Sequence, residues 1–355
     1  MQKDNQHNNP PRSVEDLGEF GLIRYLTDDV KIRNKSTIFG IGDDAAVLDY
    51  SDRQVLVSSD ILVEGVHFDL SYMPLKHLGY KTAVVNFSDI YAMNGMAEQF
   101  FIDLAVSNRF TLEAIDEFMA GVKLACDHYG VDLAGGDTTS SAKGMIVAGT
   151  AVGGGEKNKI TYRHGAKPND LLVVTGDLGA AYIGLQILRR EKEVFLVNPQ
   201  HQPDLEPYSY IVERQLKPEA RKDVVEWLAR NNVVPTAMID ISDGLSSEVI
   251  HLSQASGYGV HIYEEKIPID HRTSTAAEEL NLHPLVAALN GGEDYELLFA
   301  VAQKDYPKIK NVPGLSIIGH FTEDPGAFLI TKLNEQVPLT AQGWDAFLQR
   351  QKNKG

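Results

Sequence analysis

Cysteine is almost absent. Cys126 is the single one in 355 residues, so no internal disulfide can form, and a cytoplasmic, reducing setting is expected. Positive charge is also scarce: 33 Lys and Arg stand against 49 Asp and Glu, a formal charge of -16. Phosphate backbones are held by clustered cations, which excludes a general nucleic-acid binder. No run approaches the roughly 18 apolar residues of a membrane span. The opening MQKDNQHNNPPRS has no apolar segment and reads as a polar tail rather than a signal peptide. Several catalytic signatures are missing as well. There is no G-x-x-x-x-G-K-[ST] loop, no G-x-S-x-G elbow and no H-E-x-x-H helix. Gly40-Ile41-Gly42-Asp43-Asp44-Ala45 imitates a dinucleotide-binding turn, but two acids after the glycines would repel a pyrophosphate. Cys126 lies near the apolar side of an amphipathic segment and reads as core. Asn86-Phe87-Ser88 matches a glycosylation pattern inside an apolar helix, by chance.

What is present is core material. Hydrophobic residues make up 43% of the chain, too much for a disordered protein. The length suggests about two domains at roughly 150 residues each. After the polar tail (1–16), the segment LKHLGYKTAVVNFSDIYAM reads as a long buried helix, and QVLVSSDI, QFFIDLAVS and GMIVAGTAVG read as strands. Leu112, Ile115, Phe118, Val122 and Ala125 recur at helical spacing. GVDLAGGDTTSS reads as a strand end opening into a loop. The glycine-rich, weakly periodic stretch 153–170 marks a boundary between domains 17–155 and 156–355. Beyond it come the strand LLVVTG, a helix over 179–190, a polar loop around NPQHQPD, a helix in EARKDVVEWLARNN introduced by Pro218, and the strands AMIDIS, GVHIY and DYELLFAVA. A further helix follows Asp243. Irregular alternation with some hairpin-like neighbours points to an α/β or α+β architecture with mixed sheets.

The informative feature is a set of acids in apolar surroundings flanked by glycine or serine: Asp43 and Asp44 in GIGDDAAVL, Asp60 in VLVSSDIL, Asp89 in VVNFSDIYAM, Asp137 in LAGGDTTS, Asp240 and Asp243 in MIDISDGL, Glu293 and Asp294 in NGGEDYELLF. Singly, each reads as a turn residue or helix cap, Asp243 most clearly. Together they do not. Asp89 falls inside an apolar helix, and Asp60 and Asp240 at the ends of hydrophobic strands, where ligand sites collect in α/β sheets. A buried carboxylate must be paired, hydrogen-bonded or on a metal. No comparable set of Lys or Arg is interleaved, so hard divalent cations are the natural partners. Magnesium takes oxygen from carboxylates and substrate phosphates, and Ser58, Ser59, Ser88 and Ser242 could add oxygens. Several Mg²⁺ ions without a P-loop suggest phosphoryl chemistry on a polyphosphate. The glycines of GGDTT and GGED allow close approach of backbone amides to phosphate. Arg163 could neutralise phosphate charge or be a plain surface arginine.

Read in order, GIGDDAAVL, SSDILVEGVHF, VNFSDIYAMN, GGDTT, GAKPNDLLVVTG, IDISDGL and GGEDYELLF resemble the thiamine-monophosphate kinase family, part of the aminoimidazole ribonucleotide synthetase superfamily. The resemblance runs over nearly the whole chain after the tail. It implies ATP-dependent phosphorylation of thiamine phosphate to thiamine diphosphate. It also implies a two-domain fold that forms a homodimer, with a barrel built across the interface by the N-terminal sheets. Domain 17–155 would bind Mg²⁺ and ATP and dimerise, and domain 156–355 would complete the site. Carried over by motif, Asp44, Ser58, Ser59, Asp60, Asp89, Asp137, Asp240 and Asp243 would hold Mg²⁺. Gly136, Asp137, Arg163 and Ser242 would contact ATP. His67, Glu293 and Trp344 would contact thiamine phosphate, with a strand-end histidine the alternative for His67. No residue is implied as a dedicated catalytic base. The alternatives are an aminoimidazole ribonucleotide synthetase-type cyclisation and a non-catalytic Mg²⁺–nucleotide sensor on the same fold.

Overall fold

Two short strands, β1 (Thr37–Phe39) and β2 (Val47–Leu48), pair antiparallel ahead of the long strand β3 (Gln54–Val63). Along β3 the side chains alternate: Leu56 is buried, Ser58 and Asp60 half-buried, while Val55, Val57, Ser59 and Ile61 are exposed. That period of two belongs to a strand with one face covered. The computed structural model describes residues 25–39, 47–51, 53–200 and 202–341. The sequence expectations for the polar tail, Gly40 to Gly42, Asp43, Asp44 and Trp344 lie outside the described residues.

The expected buried helix forms as α1 (Leu75–Ala92), with Leu78, Ala83, Val84, Phe87 and Tyr91 fully buried. The amphipathic helix is α2 (Leu112–Tyr129). Thr111 caps its N-terminus through a hydrogen bond from the Ala114 N–H, and Gly130 closes it in the left-handed conformation. Its buried face contains Leu112, Ile115, Phe118, Val122 and Ala125, as the spacing predicts. With β4 (Met96–Val106), β5 (Asp132–Ser140) and β6 (Met145–Gly155), β3 makes a four-stranded sheet in the order β3-β6-β4-β5. β4 and β5 run parallel and are joined through α2, the crossover that parallel pairing requires. The glycines of LAGGD do not open a loop. β5 continues through them to Ser140, because each residue from Phe101 to Val106 finds a partner there.

The second sheet contains β7 (Leu171–Thr175), β8 (Ala237–Asp240), β9 (Gly259–Tyr263), β10 (Leu297–Val301), β11 (Leu315–Thr322), β12 (Ala327–Ile330) and β13 (Gln336–Pro338), in the order β13-β12-β9-β11-β7-β10-β8. β9 and β12 pair parallel while β10 pairs antiparallel with β7 and β8, so the sheet is mixed, as expected. Helices α3 (Ala180–Val197), α4 (Ser209–Leu216), α5 (Lys222–Arg230), α6 (Leu245–Ser256), α7 (His271–Glu279), α8 (Pro284–Asn290) and the single turn α9 (Tyr306–Ile309) lie in this part. A continuous apolar core joins Val174, Ile239, Leu298 and Ile318 of the sheet to Leu245, Val249 and Leu252 of α6.

Two helix starts differ from expectation. α5 begins after Arg221 rather than at Pro218, and Gly244, not Asp243, occupies the N-cap of α6 at φ 116, a conformation closed to aspartate. Asp60 lies within β3 rather than at its end. By contacts the chain divides into two compact units. The first takes its described residues from Met1–Asp49, Ser59–Ala83 and Glu98–Ala151, the second from Tyr50–Ser58, Val84–Ala97 and Val152–Gly355. Among the described residues no closed barrel is present within the chain.

Candidate active site

In the second unit, helix α1 presents two consecutive polar residues to two different partners. Ser88 is fully buried, and its hydroxyl donates to Asp240 Oδ2 at 2.6 Å at the end of β8. The Asp89 carboxylate accepts from the Ser58 hydroxyl of β3. Ser59, one residue on, faces the other way and donates to the carbonyl of Gly149 at 3.0 Å. Strand alternation thus separates the two serines. Asp240 is only 4% exposed, so its hydrogen bonds offset a large desolvation cost.

Immediately after β8, the Asp243 N–H donates to Glu248 Oε1 at 3.0 Å. Glu248 is buried, and among the described residues its second oxygen finds no hydrogen-bond partner. Burial, reinforced by the charges of Asp243 and Asp240, pushes its carboxyl up to about 8. Asp243 is also raised by burial, with His251 and Arg163 pulling it back. Arg163 is exposed, within electrostatic reach of Asp243. Ser242 is exposed between Ile241 and Asp243.

The NGGEDYE segment is fastened to this turn. The Glu293 N–H donates to the Ser242 carbonyl at 2.7 Å and the Tyr295 N–H to that of Ile241 at 2.9 Å. Three residues here have left-handed backbone: Gly292 (φ 72), Glu293 (φ 60) and Tyr295 (φ 52). A Cβ on Gly292 would stand 2.5 Å from the Ser242 carbonyl oxygen, so the close approach needs glycine. The neighbouring acids have other work. Glu296 is paired with Arg214 at 3.0 Å and Arg221 at 2.6 Å. Asp294 accepts from the Gly179 N–H at 2.8 Å at the start of α3, and burial pushes it up to about 7, against the pull of Arg214. These acids do have interleaved arginines, which the one-dimensional reading missed because Arg214 and Arg221 are distant in sequence.

In the first unit, Asp60 is half-buried on β3, and His67 closes the turn after it. His67 Nδ1 accepts from the Val63 N–H at 3.0 Å, leaving Nε2 to carry the proton in the neutral ring. Gly136 and Asp137 are exposed on β5. Gly136 has φ 150, and a Cβ there would stand 1.9 Å from the Ile102 carbonyl oxygen. Asp137 is in register with Asp103 of β4. Both line a hollow of about 100 Å³ with Leu104, Ala105, Thr139, Ile146 and Ala148. Asp103 and Glu248 were missed in the sequence. The signal for Asp103 was an acid alternating with apolar residues in FFIDLAV. For Glu248 it was an acid in the first turn after SDG.

The expected residues therefore fall into two groups. Ser58, Asp89, Asp240, Ser242, Asp243 and Glu293 belong to the second unit with Arg163; Ser59, Asp60, His67, Gly136 and Asp137 belong to the first. Among the described residues no three His, Cys, Asp or Glu converge as a metal-holding group. The donor chemistry fits magnesium all the same. Ser58, Ser88, Asp89 and Asp240 offer only hard oxygen atoms. Cys126 is buried, which raises its thiol far above the usual range, in keeping with a core residue.

The sequence matches the AIR synthase related protein family, its N-terminal domain over residues 42–154 and its C-terminal domain over residues 167–332. A thiamine-monophosphate kinase of Aquifex aeolicus (strain VF5) is 34% identical over 337 residues, spanning 94% of this chain and 99% of the relative. One of Bacillus subtilis (strain 168) is 34% identical over 343 residues, spanning 93% and 100%. A solved structure described as AaThiL complexed with AMPPCP and TMP is 31% identical, with a TM-score of 0.72 over 95% of this chain and 99% of that one. Fold, motif order and these likenesses agree: this chain belongs to the thiamine-monophosphate kinase family of AIR synthase related proteins.

Proposed function

We propose that this chain transfers the γ-phosphoryl group of ATP to thiamine phosphate, giving thiamine diphosphate and ADP. The observation that carries the reading is the relative bound to AMPPCP, an ATP analogue, and TMP, whose fold this chain matches along almost its whole length. The attacking group is an oxygen of a phosphate monoester, largely ionised near neutral pH because its second pKa lies at about 6. No strong base has to remove a proton, and in this reading no residue is assigned as a dedicated catalytic base. The barrier is repulsion between anions, so positioning and charge neutralisation carry the reaction.

In this reading Asp44, Ser58, Ser59, Asp60, Asp89, Asp137, Asp240 and Asp243 hold Mg²⁺ ions. When bound, these supply the positive charge that lets two phosphate groups approach. Gly136, Asp137, Arg163 and Ser242 orient ATP. Arg163, exposed, is free to swing its guanidinium onto a phosphate. His67 meets thiamine phosphate through Nε2, Glu293 meets its cationic ring with a carboxylate, and Trp344 offers a π face to the same ring. Residues 17–155 bind Mg²⁺ and ATP and dimerise, and residues 156–355 complete the site. The exposed face of β3, with Val55, Val57 and Ile61 about half to two-thirds uncovered, suits pairing with a second copy and a barrel across the dimer interface. A cytoplasmic setting belongs to the same reading. Among the described residues no helix is long and apolar enough to cross a membrane.

The assay combines the protein with ATP, Mg²⁺ and thiamine phosphate. Thiamine diphosphate with equimolar ADP is expected. ADP formed only with formylglycinamidine ribonucleotide would replace the kinase by the cyclising synthetase, and nucleotide binding without turnover would replace it by a sensor.

A further inference from the structure

Helix α6 starts behind its N-cap Gly244, one residue past Asp243. At 3.6 residues per turn, Gly244, Glu248 and His251 fall along one side of it. Glu248, the first of the two side chains on that side, is buried and accepts from the Asp243 N–H. His251, one turn further along, is exposed. Side chains on a helix lean toward its N-terminus, which turns the imidazole back along α6 toward Asp243. Its influence is felt there: burial raises the Asp243 carboxyl, and His251 and Arg163 are the two groups that draw it down.

Arg163, Ser242 and His251 surround this turn and share one property. All three are exposed, and among the described residues none of their side chains makes a hydrogen bond or an ion pair. Other arginines are spent on carboxylates: Arg214 and Arg221 on Glu296, Arg33 on Asp127, Arg272 on Asp270. Arg163 is within electrostatic reach of Asp243 without pairing with it. A polyphosphate approaching Asp240 and Asp243 meets charge of its own sign, and N–H donors held beside those acids offset part of that repulsion. A histidine can serve without a full charge, because its neutral ring still keeps one N–H. We propose that His251 is a further ATP contact, donating an imidazole N–H to the phosphate chain beside Arg163 and Ser242. The inference rests on the reading of Arg163 and Ser242 as ATP contacts.

Three variants of the full chain test it, with Mg²⁺ present: His251→Ala, which removes the donor; His251→Arg, which keeps N–H donors in its place; and Arg163→Met. Each is measured for KM of both substrates, for AMPPCP binding by calorimetry, and for Tm. His251→Ala should raise KM for ATP and Kd for AMPPCP about tenfold, with KM for thiamine phosphate within about twofold of the parent. Its Tm should hold, because the side chain is exposed. His251→Arg should restore nucleotide affinity to within about threefold of the parent. Unchanged nucleotide affinity in His251→Ala, or an equal loss in His251→Arg, overturns the inference. A rise of both KM values together marks a structural role and overturns it too. If Arg163→Met weakens AMPPCP binding but His251→Ala does not, the inference alone fails and the reading of Arg163 stands. If neither variant changes AMPPCP binding, the reading of this turn as an ATP contact fails, and His251 falls with it.

Discussion

Ser88 and Asp240, 152 residues apart, meet in a hydrogen bond of 2.6 Å from hydroxyl to carboxylate. The contact ties the buried middle of α1 to the end of β8, and Asp89 beside it reaches Ser58 on β3. Three elements thus contribute two hydroxyl–carboxylate contacts to the second unit, and these hydrogen bonds offset part of the cost of burying the acids.

The carboxylates should matter for chemistry more than for folding. Asp89→Asn and Asp240→Asn keep the shape and a hydrogen-bond acceptor, and each should lower kcat by orders of magnitude with the Tm nearly unchanged. Were they structural anchors alone, the loss would fall on stability, at about 1 kcal/mol, with activity retained. Thermal melts and steady-state kinetics on the same preparations distinguish the two.

Gly136 should tolerate no side chain. Its φ is 150, and the Ile102 carbonyl oxygen lies 1.9 Å from the position a Cβ would take. Gly136→Ala must therefore shift β4 against β5, where Asp137 is presented. A large fall in Tm or loss of soluble protein is expected. Retention of the parental Tm and ATP binding would contradict the geometry.

Elements governed by local pattern were legible in the sequence, because periodicity is a local property. The stripe Leu112, Ile115, Phe118, Val122 and Ala125 gave α2 its buried face. The segment QVLVSSDI read as a strand and forms β3, and the odd placement of Asp89 in an apolar helix drew attention to the candidate site. What escaped depends on distant pairing. Asp103 gains meaning only from its register with Asp137. Asp243 read as a cap because aspartate favours that position, but the backbone of Gly244 takes it at a φ that aspartate avoids.

Glu296 is 1% exposed and held between two arginines. Removing its charge leaves buried Arg214 without its carboxylate partner, while Arg221 keeps Asp223 at 2.9 Å, so Glu296→Gln should cost about 3 kcal/mol of stability. Urea denaturation measures it. A loss below about 1 kcal/mol, the range of a surface pair, would show that the network is not buried as described.

Asp294 should make stability fall as pH rises. Its ordinary carboxyl value is 3.8, and burial raises it to about 7 in the folded protein. Between about pH 4 and pH 7 the folded state keeps a proton that the unfolded chain releases, so unfolding becomes easier with each added unit of pH, levelling off above 7. Asp294→Asn keeps the acceptor for Gly179 and removes the titration. It should flatten the stability profile across that window, gaining on the order of a few kcal/mol at pH 8 relative to the parent. Parallel profiles for parent and variant would contradict the assignment.

The most direct test of the central claim follows the phosphorus. With ATP labelled at the γ-phosphate, Mg²⁺ and thiamine phosphate, the label should appear in the terminal phosphate of thiamine diphosphate, one per ADP released, and should disappear in Asp89→Asn. Label recovered only as inorganic phosphate, or transferred only when formylglycinamidine ribonucleotide replaces thiamine phosphate, would contradict the account.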